Sequence, residues 1–450
     1  MKPATFVALL LFVSVSVFAQ NPYEEFIEAF RTNYNNQNYE AIHNLTSDGF
    51  KAKVSKEYLA QILGGGFTAA GKITDVKIAE EATQGKVYHL ICERETLALS
   101  VSLDASGKAA GLLIRPVEKS GSKDPASIIS KWKASNANAG LVVGRLRDGQ
   151  PDIQYLGVID KERSQTPDAQ SIFEIGSISK PFTGILLHTL IAEGKISLDD
   201  PINKFLPKTS QIPKVKDKDV LIRHLVSHSS CLPRMPGNFN PPAEEASNPY
   251  NYYSEKDLFS FLPTITTGDC ELGTLSVYSN LGAGLLGYIL TKVSGKPYTE
   301  LFNERIAKPL KTKSFGVVGM SDKWVKGHTS TGASQSQWTF TDVLVGAGGV
   351  DACADDMVKV LSFLMKPDQS RLGKAVNAST VAQLQGAQGT FATFWVRQQV
   401  GSKTVIWHNG MTGGFNAFVG WIEGTQTGVF ILSNNGEDVA TGLGLAMLGE

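Results

Sequence analysis

The sequence is poor in cysteine and has no excess of charge of either sign. Its 450 residues include four cysteines, 43 basic and 43 acidic side chains. Nucleic-acid-binding surfaces need clustered Lys and Arg, so the balanced charge and the lack of a basic stripe argue against a nucleic-acid partner. The cysteine spacings match no zinc-binding pattern. Beyond the amino terminus, no apolar run is long enough to cross a bilayer.

The amino terminus carries the single long apolar run. Residues 1–19 combine a lysine, this run and the small-residue pattern Val17-Phe18-Ala19, which predicts a signal peptide cleaved before Gln20. No cysteine lies near the cleavage point, so no lipid anchor is predicted. We therefore expect an exported protein, periplasmic or secreted, without a membrane span after cleavage.

Export makes disulfides possible, because the compartments outside the cytosol are oxidising. Four cysteines allow one or two bonds. Cys231 and Cys270 flank the segment that leads to Tyr278, and they are the preferred pair. Cys92 is expected to be buried in the amino-terminal domain.

Residues 21–117 predict a small α+β domain, because helical periodicity comes first and strand alternation follows. A second helix is expected to end at the glycines of residues 64–66. The residues with helical spacing are Tyr23, Phe26, Ile27, Phe30 and Tyr34, and those with strand alternation are Leu97, Leu99, Val101 and Leu103. The domain resembles the small nuclear-transport-factor-2-like domains. It shows no catalytic motif, and a docking role and a spacer role are both open.

Residues 118–135 begin with a polar, turn-rich stretch and are predicted to be a linker. The second domain then covers residues 136–450. It opens with two apolar segments around Asp148-Gly149, which predict a β-hairpin.

The first chemical motif is Ser177-Ile178-Ser179-Lys180. Apolar residues behind it recur at helical spacing, so Ser177 is expected at a helix amino terminus, where developing negative charge is favoured. Residues three apart share a helix face, so the Lys180 amine can reach the Ser177 hydroxyl. A nearby base is what converts a serine hydroxyl into a nucleophile.

Two later motifs could complete a site. In Tyr278-Ser279-Asn280, an extended segment would point Tyr278 and Asn280 the same way, offering a phenol for proton transfer and an amide for a substrate carbonyl. The third motif, at residues 408–411, lies between apolar segments that predict neighbouring strands. It consists of His408, Asn409, Gly410 and Met411.

Two further patterns have a structural and a functional interpretation. Gly282 to Gly287 fits G-x-G-x-x-G, but it does not open a βαβ unit, so helix packing through small residues is the preferred interpretation. His224 and His228 could share a helix face as metal ligands, yet no third ligand is evident. Hydrogen bonding at a helix end is the preferred role.

The three motifs, in this order, resemble the penicillin-recognising serine hydrolases, which include class C β-lactamases, D-alanyl-D-alanine carboxypeptidases and certain esterases. Residues 224–234 resemble the HxLxSHTSGLP segment of that family, and residues 346–357 its GAGG segment. The resemblance implies an α/β hydrolase domain of the β-lactamase/transpeptidase type. Its antiparallel sheet would join the first hairpin to the carboxy-terminal strands, with flanking helices and a helical insertion over about residues 195–345.

The resemblance also implies residue roles. Ser177 would form an acyl-enzyme, while Lys180 and Tyr278 would share the acid and base work in an order that the sequence leaves open. Backbone N–H groups of Ser177 and Met411 would form the oxyanion hole. The substrate-binding residues would be Asn280, His408, Asn409, Gly410 and Met411. No metal or organic cofactor is implied.

The third motif bears on the substrate. Class C β-lactamases carry Lys-Thr-Gly there, whereas this chain has His408 and Asn409, and a largely neutral histidine anchors a carboxylate less well. A D-Ala-type peptidase or related amidase is therefore ranked first, an esterase second and an efficient β-lactamase third. A slow penicillin-binding sensor is the alternative of a different class. The oligomeric state is left open.

Overall fold

The computed structural model describes residues 21–450 apart from 53, 55, 83–84, 117–123, 137–138, 160–164, 268–269, 275, 320, 330–331 and 387–388. The predicted signal peptide, residues 1–19, lies outside the described residues and stays a prediction. The chain forms two compact units, and the main division falls between residues 119 and 120.

The amino-terminal unit has helices followed by an antiparallel sheet in the order β1-β2-β3-β4. Its elements are α1 (Pro22–Asn35), α2 (Tyr39–Asn44), α3 (Asp48–Lys51), α4 (Lys56–Ala70), β1 (Ile73–Ala82), β2 (Gly85–Cys92), β3 (Thr96–Leu103) and β4 (Ala109–Pro116). The buried side of α1 consists of Phe26, Ile27, Phe30 and Tyr34, the residues with helical spacing. Cys92 is buried. The resemblance to nuclear-transport-factor-2-like domains stays a prediction.

One helix end in this unit differs from the prediction. The glycines of residues 64–66 do not end α4, which continues to Ala70. Leu59, Leu63 and Ala70 are buried along it. Burial of these side chains offsets the cost of about 1 kcal/mol that each interior glycine imposes on a helix.

The larger unit is built on an eight-stranded antiparallel sheet in the order β11-β12-β13-β14-β15-β16-β5-β6. The first hairpin therefore lies beside the last strands of the chain, as predicted. The strands of this unit are β5 (Gly140–Arg147), β6 (Gln150–Gly157), β7 (Phe173–Glu174), β8 (Gly327–His328), β9 (Ser334–Gln335), β10 (Asp351–Ala352), β11 (Leu384–Gly386), β12 (Gly389–Phe391), β13 (Val396–Val400), β14 (Lys403–Met411), β15 (Asn416–Ile422) and β16 (Gly428–Ser433).

Helices cover both faces of this sheet. The helices of the whole unit are α5 (Pro125–Ser135), α6 (Ser179–Ile191), α7 (Ile222–Val226), α8 (Glu255–Phe261), α9 (Asn280–Ser294), α10 (Tyr298–Phe302), α11 (Lys308–Leu310), α12 (Val345–Gly348), α13 (Ala354–Met365), α14 (Arg371–Ser379) and α15 (Ala440–Gly449). One apolar layer joins Trp132 of α5 and Leu443 of α15 to Val405 and Trp407 of β14. The larger core lies on the other face and contains α6 and α13.

The predicted linker differs from the structure over its second half. Residues Pro125–Ser135 form α5, whose first turn is capped by the Asp124 side chain. Asp before Pro is a helix-start signal, and the buried Trp132 attaches the helix to the sheet. Residues 118–123 of that prediction lie outside the described part of the chain.

The insertion predicted over residues 195–345 contains α7 to α11 and the short pair β8 and β9, with long irregular segments between them. Glycines pack α9 against the segment that holds α12, because a Cβ on Gly287 would lie 3.0 Å from the Cα of Gly346. The G-x-G-x-x-G pattern therefore serves helix packing here. Within the described residues, no helix is both long and apolar enough to cross a membrane.

Candidate active site

Ser177 lies in a tight turn between a short strand and a buried helix. The turn, Gly176–Ile178, is one 3₁₀ turn that leads directly into α6. Gly176 has a φ of 50°, and a Cβ there would lie 2.8 Å from the Met411 nitrogen. A Cβ on Gly410 would lie 1.8 Å from the Ile175 oxygen. These two glycines therefore let strand β14 lie directly against the serine turn.

Lys180 lies behind the serine. Its side chain is fully buried, whereas Ser177 is partly exposed. Its Nζ is hydrogen-bonded to Ser177 Oγ at 2.9 Å and donates to the Ala347 carbonyl at 2.6 Å. Burial, together with the positive charge of Arg234, holds the pKa of Lys180 well below its usual value. The amine therefore loses its proton more readily than an exposed lysine, and its neutral form can accept one.

Tyr278 completes this group. The Nζ of Lys180 lies 4.7 Å from the centroid of its ring. Burial raises the pKa of Tyr278 to about 12, although the charge of Arg234 and a hydrogen bond with Ser177 act in the opposite direction. The phenol thus keeps its proton at neutral pH, while its neighbouring amine tends to lose one.

His228 supports the tyrosine. The two rings lie 4.6 Å apart, and the backbone N–H of Ser279 donates to His228 Nδ1 at 3.2 Å. The N–H of Val277 donates to the His228 carbonyl at 2.7 Å. These bonds fix the segment on both sides of Tyr278, so His228 has a positioning role that the sequence did not reveal.

His224 has a separate local role. Its Nδ1 accepts a hydrogen bond of 3.1 Å from the Leu221 N–H at the start of α7. This agrees with the preferred interpretation of hydrogen bonding at a helix end. Throughout the described segments, no group of three or more His, Cys, Asp or Glu side chains could hold a metal ion.

Asn280 differs from its predicted extended conformation. It is the first residue of α9, and Ser279 caps that helix by accepting from the Gly282 N–H. The segment is extended only up to Ser279, because the cap needs a β conformation there. Asn280 Nδ2 donates to Met235 Sδ at 3.4 Å, so the amide lies beside the segment that carries Arg234.

The third motif places its side chains on opposite faces of β14. His408 lies on the side of Tyr278, with the two ring centroids 6.4 Å apart. Asn409 points the other way, and its Nδ2 donates to Thr441 Oγ1 of α15 at 2.9 Å. The structure therefore does not bring the Asn409 side chain to Ser177. Gly410 and Met411 contribute backbone beside the serine turn.

His408 is a neutral acceptor rather than a cation. Burial and the charge of Lys180 lower the pKa of His408 to about 3, although its hydrogen bond to Asn409 raises it. Its Nδ1 lies 2.5 Å from the Asn409 carbonyl. A carbonyl only accepts, so Nδ1 carries the hydrogen and Nε2 is left as an acceptor.

Arg234 is the residue at this site that the sequence did not single out for a role. Its guanidinium lies 5.0 Å from the centroid of the Tyr278 ring. The signal in the sequence was its position as the last residue of the HxLxSHTSGLP-like segment, residues 224–234, which also contains Cys231. Cys231 is joined to Cys270 by a disulfide bond, the pair preferred from the sequence.

Known proteins resemble this chain in sequence and in fold. The family described as Beta-lactamase matches residues 126–447. The chain is 26% identical over 283 residues to the D-alanyl-D-alanine-carboxypeptidase/endopeptidase AmpH of Escherichia coli (strain K12), covering 59% of this chain and 71% of that protein. It is 23% identical over 341 residues to a beta-lactamase of the same strain, covering 66% of this chain and 84% of that protein.

Solved structures share the fold at low identity. A D-alanine carboxypeptidase AmpC from Burkholderia cenocepacia superimposes with a TM-score of 0.61 at 20% identity, covering 72% of this chain and 97% of that chain. A class C beta lactamase from Rhodobacter sphaeroides superimposes with a TM-score of 0.61 at 21% identity, covering 72% of this chain and 96% of that chain. The predicted hydrolase fold is confirmed. By the extent of the family match and by this fold, the chain belongs to the beta-lactamase family of serine hydrolases.

Proposed function

We propose that this protein is an exported hydrolase that forms an acyl-enzyme on Ser177 and acts on D-Ala-type peptides. One observation carries the catalytic part of the proposal. The amine of Lys180 is fully buried and lies 2.9 Å from Ser177 Oγ. A desolvated amine loses its proton more readily than an exposed one, and this amine lies within hydrogen-bond distance of the hydroxyl that it would activate.

Acylation begins with attack of Ser177 Oγ on the substrate carbonyl. Lys180 takes the serine proton as the Oγ–C bond forms. The raised pKa of Tyr278 keeps its phenol protonated, so it is the group that gives a proton to the leaving nitrogen or oxygen. It then regains a proton from Lys180, which leaves both groups as they began. The opposite shifts of the two pKa values support lysine as base and tyrosine as acid.

The oxyanion would be held by backbone N–H groups of Ser177 and Met411. The close packing of β14 on the serine turn supports this, since Gly410 and Gly176 bring these two nitrogens to one place. Donors fixed by a sheet strand and a helix start need no reorganisation during the reaction. Water then hydrolyses the acyl-enzyme, and none of these steps uses a cofactor.

The substrate preference rests on one relative and on the state of His408. One relative, AmpH, is named as a D-alanyl-D-alanine carboxypeptidase and endopeptidase. In this chain His408 is neutral, in contrast to the lysine of class C β-lactamases. A peptidase is therefore ranked before an esterase, a β-lactamase and a slow penicillin-binding sensor. Export is supported by the predicted signal peptide and by the Cys231–Cys270 disulfide.

A substrate panel on the mature protein tests the proposal. D-Ala-D-Ala peptides, p-nitrophenyl esters and a chromogenic cephalosporin would be compared by kcat/KM, with Ser177→Ala as the control. The proposal predicts steady turnover of the peptides and none in the control. Turnover of esters alone would favour the esterase. A burst of acylation without steady turnover would favour the sensor.

A further inference from the structure

Arg234 lies on a segment that is fixed against the tyrosine motif. Its carbonyl accepts hydrogen bonds from the N–H groups of Asn280 at 2.9 Å and Leu281 at 3.2 Å, the first two residues of α9. Ser279 Oγ donates to the neighbouring Pro233 carbonyl at 2.7 Å. The Cys231–Cys270 disulfide holds the same segment. The position of Arg234 beside Tyr278 is therefore set by the backbone.

The charge of Arg234 is accessible and acts on the reacting groups. The side chain is exposed, and its guanidinium lies over the Tyr278 ring. It lowers the pKa values of Lys180 and Tyr278. In the described parts of the chain, no Asp or Glu forms an ion pair with it. An arginine is charged at all relevant pH values, so this cation faces the site without a neutralising partner.

His408 cannot serve as that cation. Burial keeps its ring neutral, and its pKa is lowered to about 3. The amine of Lys180 is fully buried behind Ser177. Of these three basic side chains at the site, Arg234 alone is both exposed and permanently charged.

Resting on the proposed function, we propose that Arg234 binds a carboxylate on the leaving group of the substrate. The substrate class is then an amide or peptide that ends in a free α-carboxylate. In such a leaving group, a single carbon separates the carboxylate from the nitrogen that Tyr278 protonates. A guanidinium beside the Tyr278 ring is placed to meet that carboxylate, and its planar fork suits two parallel hydrogen bonds. Arg234 thereby sets specificity, while Lys180 and Tyr278 perform the proton transfers.

A pair of substrates isolates this role. We would compare an N-acyl-D-Ala-D-Ala peptide with the same peptide ending in D-alaninamide, and take the ratio of their kcat/KM values. Because the two values are divided, any decrease in kcat/KM that is common to both substrates cancels. Wild-type protein should prefer the acid, and Arg234→Gln should lower the ratio by about tenfold, the effect of one lost charge-assisted hydrogen bond. Arg234→Lys should keep part of the preference.

The controls separate the possible failures. Arg147→Gln removes an equal charge from β5, where Arg147 pairs with Glu450 at 3.8 Å, and should leave the ratio unchanged. If both peptides are hydrolysed and the kcat/KM ratio is the same in wild type and in Arg234→Gln, the role of Arg234 is refuted while the proposed function stands. No hydrolysis of either, with no adduct on Ser177, would refute the proposed function as well.

Salt gives a second measurement that needs no variant. A partly exposed ion pair is screened at high ionic strength, so the wild-type ratio should fall as salt is added. A preference for the acid that does not depend on salt would contradict a carboxylate bound by Arg234.

Discussion

The amine of Lys180 is fully buried, yet it lies 2.9 Å from the Oγ of the partly exposed Ser177. Burial removes the water that would otherwise stabilise an ammonium, so the pKa of Lys180 falls. The Ala347 carbonyl holds the amine in place at 2.6 Å. Burial thus prepares Lys180 for the proposed role of base, while the proposed nucleophile Ser177 stays partly exposed.

Loss of either proton-transfer group should slow acylation. We expect Lys180→Ala and Tyr278→Phe each to lower the acylation rate by about 100-fold or more, typical of lost general acid–base help. Stopped-flow acylation with a reporter ester would measure it, and thermal unfolding would show that both variants fold. Near-normal rates in both folded variants would exclude these residues as acid and base.

Removal of the Arg234 charge should shift the acid limb of the pH profile. The neighbouring cation favours the neutral amine, so Arg234→Gln should raise the pKa of Lys180. The amine would then hold its proton to higher pH. As the pH is lowered, the variant should therefore lose activity on a neutral ester at a higher pH than wild type does. Profiles of kcat/KM against pH measure this, with Arg147→Gln as the control. An acid limb that is unchanged, or moved to lower pH, would show that Arg234 does not act on the base.

The preference for anionic substrates should not depend on His408 titration. The pKa of His408 is lowered to about 3 by burial, so the ring stays neutral between about pH 5 and about pH 8. The kcat/KM ratio of the acid and amide peptides should therefore be constant over that range. A ratio that rises as the pH falls through about 6.5 would mean that His408 gains a charge and binds the anion.

A buried carboxyl pair predicts a pH-dependent stability. Glu174 of β7 is paired in register with Asp351 of β10, and both are buried. Burial raises the pKa of Glu174 from 4.5 to about 7, although hydrogen bonds from neighbours oppose this. The folded state thus holds the proton more tightly than the unfolded state, and stability falls as the pH rises from about 4.5 to about 7.

Glu174→Gln should remove the part of this dependence that comes from Glu174, while Asp351, whose pKa is also raised by burial, keeps its own part. The neutral amide needs no proton, so the variant should gain on the order of 2 kcal/mol relative to wild type on going from about pH 5 to about pH 8. Urea unfolding at the two pH values measures the change, and the pH 5 measurement serves as the internal control. An equal stability difference at both pH values would show that Glu174 is ionised in the folded protein.

Local patterns predicted the parts of the site that depend on short stretches of chain. The hairpin around Asp148-Gly149 formed as expected, because both residues adopt the positive φ that such a turn needs. The spacing of Ser177 and Lys180 predicted their contact, although the serine lies in a 3₁₀ turn just before the helix. Each of these features depends on a few neighbouring residues.

Features set by distant packing were not predictable in this way. The sequence did not indicate that the Asn409 side chain faces α15 and donates to Thr441 there. Arg234 approaches Tyr278 through hydrogen bonds between segments about 45 residues apart. The low pKa of His408 depends on burial by the whole core. Sequence spacing alone carries no information on such contacts.

The nucleophile itself offers the most direct test of the account. The protein would be treated with a fluorophosphonate and, separately, with a penicillin, and the adducts would be mapped by peptide mass spectrometry beside a Ser177→Ala control. The account predicts a single adduct, on the peptide that contains Ser177, and none in the control. An adduct on another residue, or labelling that survives in Ser177→Ala, would contradict it.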